Sequence, residues 1–252
     1  MSEIDDLLMA GLKALPAKPG DDAKQSEKKR YSEEMSEGVA AAFAQGLRNR
    51  NLRETMPAAA LVPAKAGGKA LQKRGSERRM SGGLGAKNVD VTFSTGESGL
   101  ILSISVKTIN FADQKTGNYQ KNLTNRRGDT LFESTTLHRR FPYAVMAGFM
   151  FLDRRAAADQ TAKRKSTFAN THTRLRTFTG RDDPAGRPEQ YERLYVVLVE
   201  ASVSTPWFEA YRIGDPKTPI SLEDAFGELL EIVAERNPDF YEVVDGKLEK
   251  AT

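Results

Sequence analysis

Three side chains in the stretch NVDVTFSTGESGLILSISVKT, residues 88–108, are of types that could do chemistry together: Asp90, Ser105 and Lys107. The stretch reads as a β-hairpin around a Gly96-Glu97-Ser98-Gly99 turn. Side chains alternate faces along a strand, so this turn sets every pairing. Phe93 faces Leu102, Val91 faces Ile104 and Val89 faces Val106, all apolar pairs. On the other face Thr92 meets Ser103, Asp90 meets Ser105 and Asn88 meets Lys107. A slip of one residue would mix the two sets, which supports this register. A carboxylate beside a lysine is a recognisable pair. The acid supplies an oxygen to a hard cation such as Mg²⁺. The lysine can hold or deprotonate an attacking water, or stabilise charge on a phosphate. Metal-assisted phosphodiester hydrolysis needs these parts.

The elements around the hairpin must hold it in place. Residues 1–30 read as a disordered or weakly helical tail, because LPAKPGDDAKQSEKKR mixes Pro, Gly and charge with little to bury. A helix capped by Ser32 follows, with Met35, Val39, Ala42, Phe43 and Leu47 at helical spacing. Residues 56–75 read as a loop or broken segment and 76–87 as a turn-rich approach to the hairpin. A helix from about Thr124 to Arg139 comes next, then a buried strand over 143–153, YAVMAGFMFLD. A basic helix over 161–181, strands at 191–201 and 207–213, and a final amphipathic helix capped by Ser221 complete the chain. This order implies an α/β domain with a mixed central sheet flanked by helices on both sides. It spans 31–252 as a single domain, with a core at 31–153 and a C-terminal extension at 154–252.

The hairpin and its neighbours resemble the PD-(D/E)XK nuclease superfamily, whose fold is restriction-endonuclease-like. That family carries an acid on one strand and an acid-X-Lys triplet on the next. Asp90 matches the first acid and Ser105-Val106-Lys107 the triplet, with Ser105 where an acid is usual. The order helix, hairpin, helix, strand also fits, and the likeness covers roughly residues 31–153. YQKNLTNRRGDTLFES looks like the Asn- and Arg-bearing stretch that follows the lysine in several restriction enzymes. The resemblance implies Mg²⁺, with Mn²⁺ as a substitute, held by Asp90, by the Val106 carbonyl and by an acid from another element. Glu77 is the first candidate for that acid and Glu133 the second, with Asp113 and Asp129 weaker ones. It further implies a DNA endonuclease acting in restriction or defence, as a homodimer or with a partner subunit. The rival reading is a degenerate nuclease fold that binds DNA without cutting it. A third reading, an RNA- or protein-binding module unrelated to nucleases, requires Asp90 and Lys107 to lie far apart.

The charge layout bears on the partner. Residues 115–187 hold 15 Lys and Arg against 6 Asp and Glu, while residues 188–252 hold 6 against 14. A basic block within a folded region points to a polyanion, most often nucleic acid. Asn122, Asn125, Arg126, Arg127, Arg139, Arg140, Lys163, Arg164 and Lys165 are the candidates to contact double-stranded DNA. Each taken alone also reads as solvated surface. The chain has no cysteine, which excludes disulfides, thiolate metal sites and cysteine nucleophiles. No apolar run reaches membrane-spanning length and MSEIDDLL lacks a basic start, so the expected location is the cytoplasm, with no membrane partner. GSERRMSGGLGAK lacks P-loop spacing. His138 and His172 are too far apart to suggest a histidine metal site, and Trp207 and Phe208 read as core.

Overall fold

The computed structural model describes residues 2–58, 78–201 and 204–251. In chain order the elements are α1 (Glu3–Lys13), α2 (Gln25–Asn49), β1 (Arg78–Gly82), β2 (Gly85–Val89), β3 (Val91–Thr95), β4 (Gly99–Ile109) and α3 (Gln120–His138). There follow β5 (Val145–Asp153), α4 (Thr167–Leu175), β6 (Arg193–Glu200), β7 (Trp207–Arg212), β8 (Pro219–Ile220), α5 (Leu222–Arg236), β9 (Tyr241–Val244) and β10 (Lys247–Lys250).

The middle of the molecule is a six-stranded mixed sheet in the order β3-β4-β5-β6-β7-β8. β4, β5 and β6 run parallel, and the outer pairings are antiparallel. β5 is buried at every position. Helices cover both faces of the sheet, so a central parallel strand is apolar on both sides rather than alternating. On one face α1, α2 and α5 bring Leu8, Phe43 and Phe226 against Ile104, Phe149 and Val197. On the other, Leu123 and Leu137 of α3 and Leu175 of α4 pack on Met146, Met150 and Val196. The α/β class with a mixed sheet between helices is therefore what the chain adopts.

Four local readings need correction. The N-terminal 30 residues are not a loose tail. Ser2 accepts from the Asp5 N–H at 3.4 Å and donates its own N–H to Asp5 at 2.9 Å, a reciprocal cap. Ile4, Leu8 and Leu12 are at most 1 % exposed. Their i, i+4, i+8 spacing puts them on one stripe, which the acids around them obscure in the sequence. Helix α2 begins at Gln25, so Ser32 lies inside it rather than at its cap. Lys28 buries its stem in α2 and donates to the Asp21 carbonyl at 2.9 Å.

The basic helix expected over 161–181 is confined to Thr167–Leu175. Asp159 accepts from both the backbone N–H and the hydroxyl of Thr167, each at 2.6 Å, and Ser166 caps the Ala169 N–H at 3.2 Å. Those bonds pin the chain before Ser166 as a turn. The approach at 76–87 is a second hairpin, β1–β2, over its described residues, and 241–250 forms a third, β9–β10.

The central hairpin pairs Val91 with Ile104, Thr92 with Ser103 and Phe93 with Leu102, in the register expected. A bulge after Phe93 absorbs Ile101, so Ser94 pairs with Leu100 and Thr95 with Gly99. At the open end the strands part. Asp90 is a bend between β2 and β3, and β2 leaves to pair with β1.

A buried ionic knot ties the ends of four elements together. Glu192 accepts from Arg181 at 2.9 Å, from Arg236 at 2.6 Å and from the Met146 N–H at 2.6 Å. His138, at the end of α3, places Nε2 at 3.4 Å from the same carboxylate. Its Nδ1 lies 3.1 Å from the Pro188 carbonyl, so its role is local. Burial works to raise the Glu192 carboxyl, but His138, then Arg236 and the Met146 N–H, outweigh it and hold the group below its ordinary pKa.

Candidate functional site

Lys107 faces α3 from the middle of the sheet. Along β4 the apolar Leu102, Ile104 and Val106 belong to the core under α1, α2 and α5. The alternation therefore sends Ser103, Ser105 and Lys107 to the opposite face. There the Lys107 ammonium lies 3.1 Å from Glu133 Oε2 and 3.5 Å from Asp90 Oδ2. One cation thus bridges two carboxylates that are 43 residues apart in sequence, a separation read directly from their numbers.

Each member is held from behind. Because the chain bends at Asp90, this carboxylate turns toward β4 instead of opposing Ser105, and Oδ2 accepts the Val106 N–H at 2.7 Å. A strand residue's N–H and C=O point to the same side in an antiparallel pair, so the Val106 carbonyl shares the Asp90 edge. Glu133 lies on the α3 face that packs on the sheet and its side chain is 1 % exposed. Its second oxygen, Oε1, is buried with no hydrogen-bond partner among the described residues. A buried acceptor without a partner is costly, which marks this oxygen as one that a cation or donor would stabilise.

Burial alone would lower the Lys107 pKa. The Glu133 and Asp90 carboxylates more than offset it and hold the ammonium above the ordinary lysine value, while Arg126 opposes them. With both carboxylates free to face it, the lysine is held as an ammonium ion.

Ser105 is 3 % exposed and pairs in register with Gly148 of β5. A Cβ at Gly148 would stand 2.5 Å from Leu194 Cδ2, so a larger residue there would require that leucine to move. Ser105, Lys107, Thr130, Gly148 and Tyr191 line a cavity of about 10 Å³. The Tyr191 hydroxyl donates to the Thr130 carbonyl at 3.3 Å. Burial, followed by the Glu133 carboxylate, pushes its phenol well above the usual range. Ser105 thus belongs to the packed floor beneath Lys107, and the carboxylate nearest that lysine comes from α3.

The remaining candidates separate. Glu77 lies outside the described residues. Asp129 is paired with Arg126 at 3.3 Å, and Asp113 with Lys121 at 3.4 Å. Arg126 stands near Lys107, whereas Arg127 lies over the Phe178 ring at 5.8 Å and Arg140 over Phe141 at 5.5 Å. Asn122 donates to the Phe111 carbonyl at 3.4 Å, and Asn125 and Arg139 are exposed. Lys163 and Lys165 are exposed, but Arg164 is drawn back to the Asp159 carboxylate and carbonyl. Residues the sequence reading missed are Tyr191, Lys87 and Phe132. Lys87 lies 5.7 Å from the Phe132 ring centre, on a hairpin that was read as turns.

Among the described residues no group of three or more His, Asp and Glu side chains is placed to hold a metal ion. The oxygen set is two carboxylates and one main-chain carbonyl edge. That set suits Mg²⁺, which keeps several waters and takes only one or two carboxylates. Also among the described residues, no helix is long and apolar enough to cross a membrane. Comparison with protein-family models, with curated proteins and with solved structures found no match for this chain.

Proposed function

We propose that the protein is a Mg²⁺-dependent DNA endonuclease of the PD-(D/E)XK type in which Glu133, on α3, replaces the acid absent at Ser105. The observation that carries this reading is the Lys107 ammonium bridging Asp90 and Glu133. Asp90, the Val106 carbonyl and Glu133 would hold the cation, which when bound polarises the phosphodiester and lowers the pKa of a water. Asp90 is oriented for this by its bond from the Val106 N–H. Lys107 stays protonated and stabilises the extra negative charge that develops on the phosphate. Arg126 adds a second positive charge on the same side. The family likeness supports action on double-stranded DNA as a homodimer or with a partner subunit, in restriction or defence and in the cytoplasm.

The test is incubation of DNA with the purified chain and Mg²⁺ or Mn²⁺, beside Lys107→Ala and Glu133→Gln. Cleavage by the parent protein and its loss, by at least about a hundredfold, in both variants is the expected result. Cleavage that survives in both variants removes the assigned site. A second reading, a DNA-binding subunit with a degenerate nuclease fold, is favoured by the same salt bridge. A lysine between two acids offsets part of their charge without any metal. Binding of DNA with no cleavage under either metal selects that reading.

A further inference from the structure

Phe132 is half exposed, at 50 %, although it sits in the middle of a helix that packs on the sheet. A large exposed ring is informative when its surroundings are charged. Lys87 lies over this ring. The contact joins the same two elements as the Lys107 bridge, one step further out: Lys87 is three residues before Asp90, and Phe132 directly precedes Glu133. Three strand residues span at most about 10 Å, so the Lys87 and Asp90 backbones lie within about three nucleotides of one another.

The neighbourhood is cationic. The only acids on α3 are Asp129 and Glu133, and both are already paired, with Arg126 and Lys107. Arg139 and Arg140, exposed just past the helix end, extend the positive surface. The hairpin that carries Lys87 is seated firmly on α3. The Gly83 N–H donates to the Thr136 carbonyl at 2.7 Å, and a Cβ at Gly82 would stand 2.6 Å from that same oxygen.

An exposed aromatic ring with a lysine against it suits a nucleic-acid base with its phosphate. In an intact duplex both faces of a base are already stacked, so a protein ring takes only a base that has left the stack. We propose that Phe132 is a base-stacking position, and that the DNA at the carboxylate pair is held with an unpaired base on this ring and the adjoining phosphate on Lys87. The proposal rests on the nuclease-type reading of that pair for its substrate class, but its test does not need cleavage.

The full chain is titrated, in chelator and without divalent metal, into single-stranded DNA carrying 2-aminopurine and into the same strand in duplex. Stacking on Phe132 should quench the single-stranded probe. Phe132→Ala and Phe132→Leu should bind it at least about fivefold more weakly and without the quench, while Phe132→Tyr keeps both. Leucine retains apolar area without the π-face, and the residue is exposed, so folding is not at stake. Binding by Phe132→Leu equal to the parent, preference for duplex with no fluorescence change, or no binding at all would each overturn the proposal. Stacking without cleavage under Mg²⁺ would remove only the nuclease reading, and cleavage without stacking only this one.

Discussion

Lys107 shows how far a single residue depends on its neighbours. An ammonium moved to this depth would favour its neutral form, yet two carboxylates reverse the sign and keep it charged. His172 is the opposite case. Burial lowers its pKa from 6.5 to about 4, only partly resisted by Asp215, and its Nδ1 accepts the Gly214 N–H at 3.1 Å. The unfolded chain therefore takes up a proton near pH 6.5 and the folded chain not until about pH 4. Between those values the unfolded state binds more protons, so stability rises with pH across the window and is complete above it. Urea unfolding midpoints at pH 7.5 and pH 5, compared for the parent and His172→Asn, should show a smaller loss on acidification in the variant. Equal losses would mean that His172 does not titrate in this way. The two histidines were visible in the sequence, but whether each is buried against a donor or a carboxylate was not. Ser105 follows the same rule: its residue type was legible, but that it lies buried while Glu133 of α3 approaches Lys107 was not.

At the scale of elements, strands and helices with strong local signals fall where their patterns put them. β5 and β6 are apolar runs, β7 is an alternating segment, and α5 has Ser221 accepting the Asp224 N–H at 3.0 Å. Weak patterns are where tertiary packing decided. α1 has only eleven residues, too short to be stable alone, and acquires its stability from burial against α2 and α5. Leu8→Ala should therefore destabilise the protein by about 2–5 kcal/mol, the cost of truncating a fully buried leucine. A tail would predict no change, and chemical denaturation distinguishes the two. The β1–β2 hairpin escaped notice for a related reason. GGLG reads as a turn, but strand pairing on either side of it depends on docking against α3, to which local sequence is blind.

Across the whole molecule, charge is divided between the basic middle of the chain and the acidic C-terminal region. The acidic side chains of α5 are partly spent internally: Glu228 takes Arg193 and Arg212, and Glu223 takes Arg50. Arg139 and Arg140, just past the end of α3, are exposed. If they meet phosphates, DNA affinity should fall steeply with salt, by about a hundredfold or more between 50 and 200 mM for about five contacts. Filter binding or anisotropy across that range checks it, and a flat response would argue against a phosphate-binding face. By itself the sequence determined the α/β class, the hairpin register at Val91–Phe93, and the face of β4 that carries Ser103, Ser105 and Lys107. These follow from strand alternation and apolar spacing, which act over a few residues. Tertiary structure alone decided that Glu133 meets Lys107, that Ser105 is buried beneath them, and that Phe132 stands outside beside Lys87. Those facts depend on where α3 and the β1–β2 hairpin come to rest against the sheet, a contact between distant segments that no local periodicity encodes.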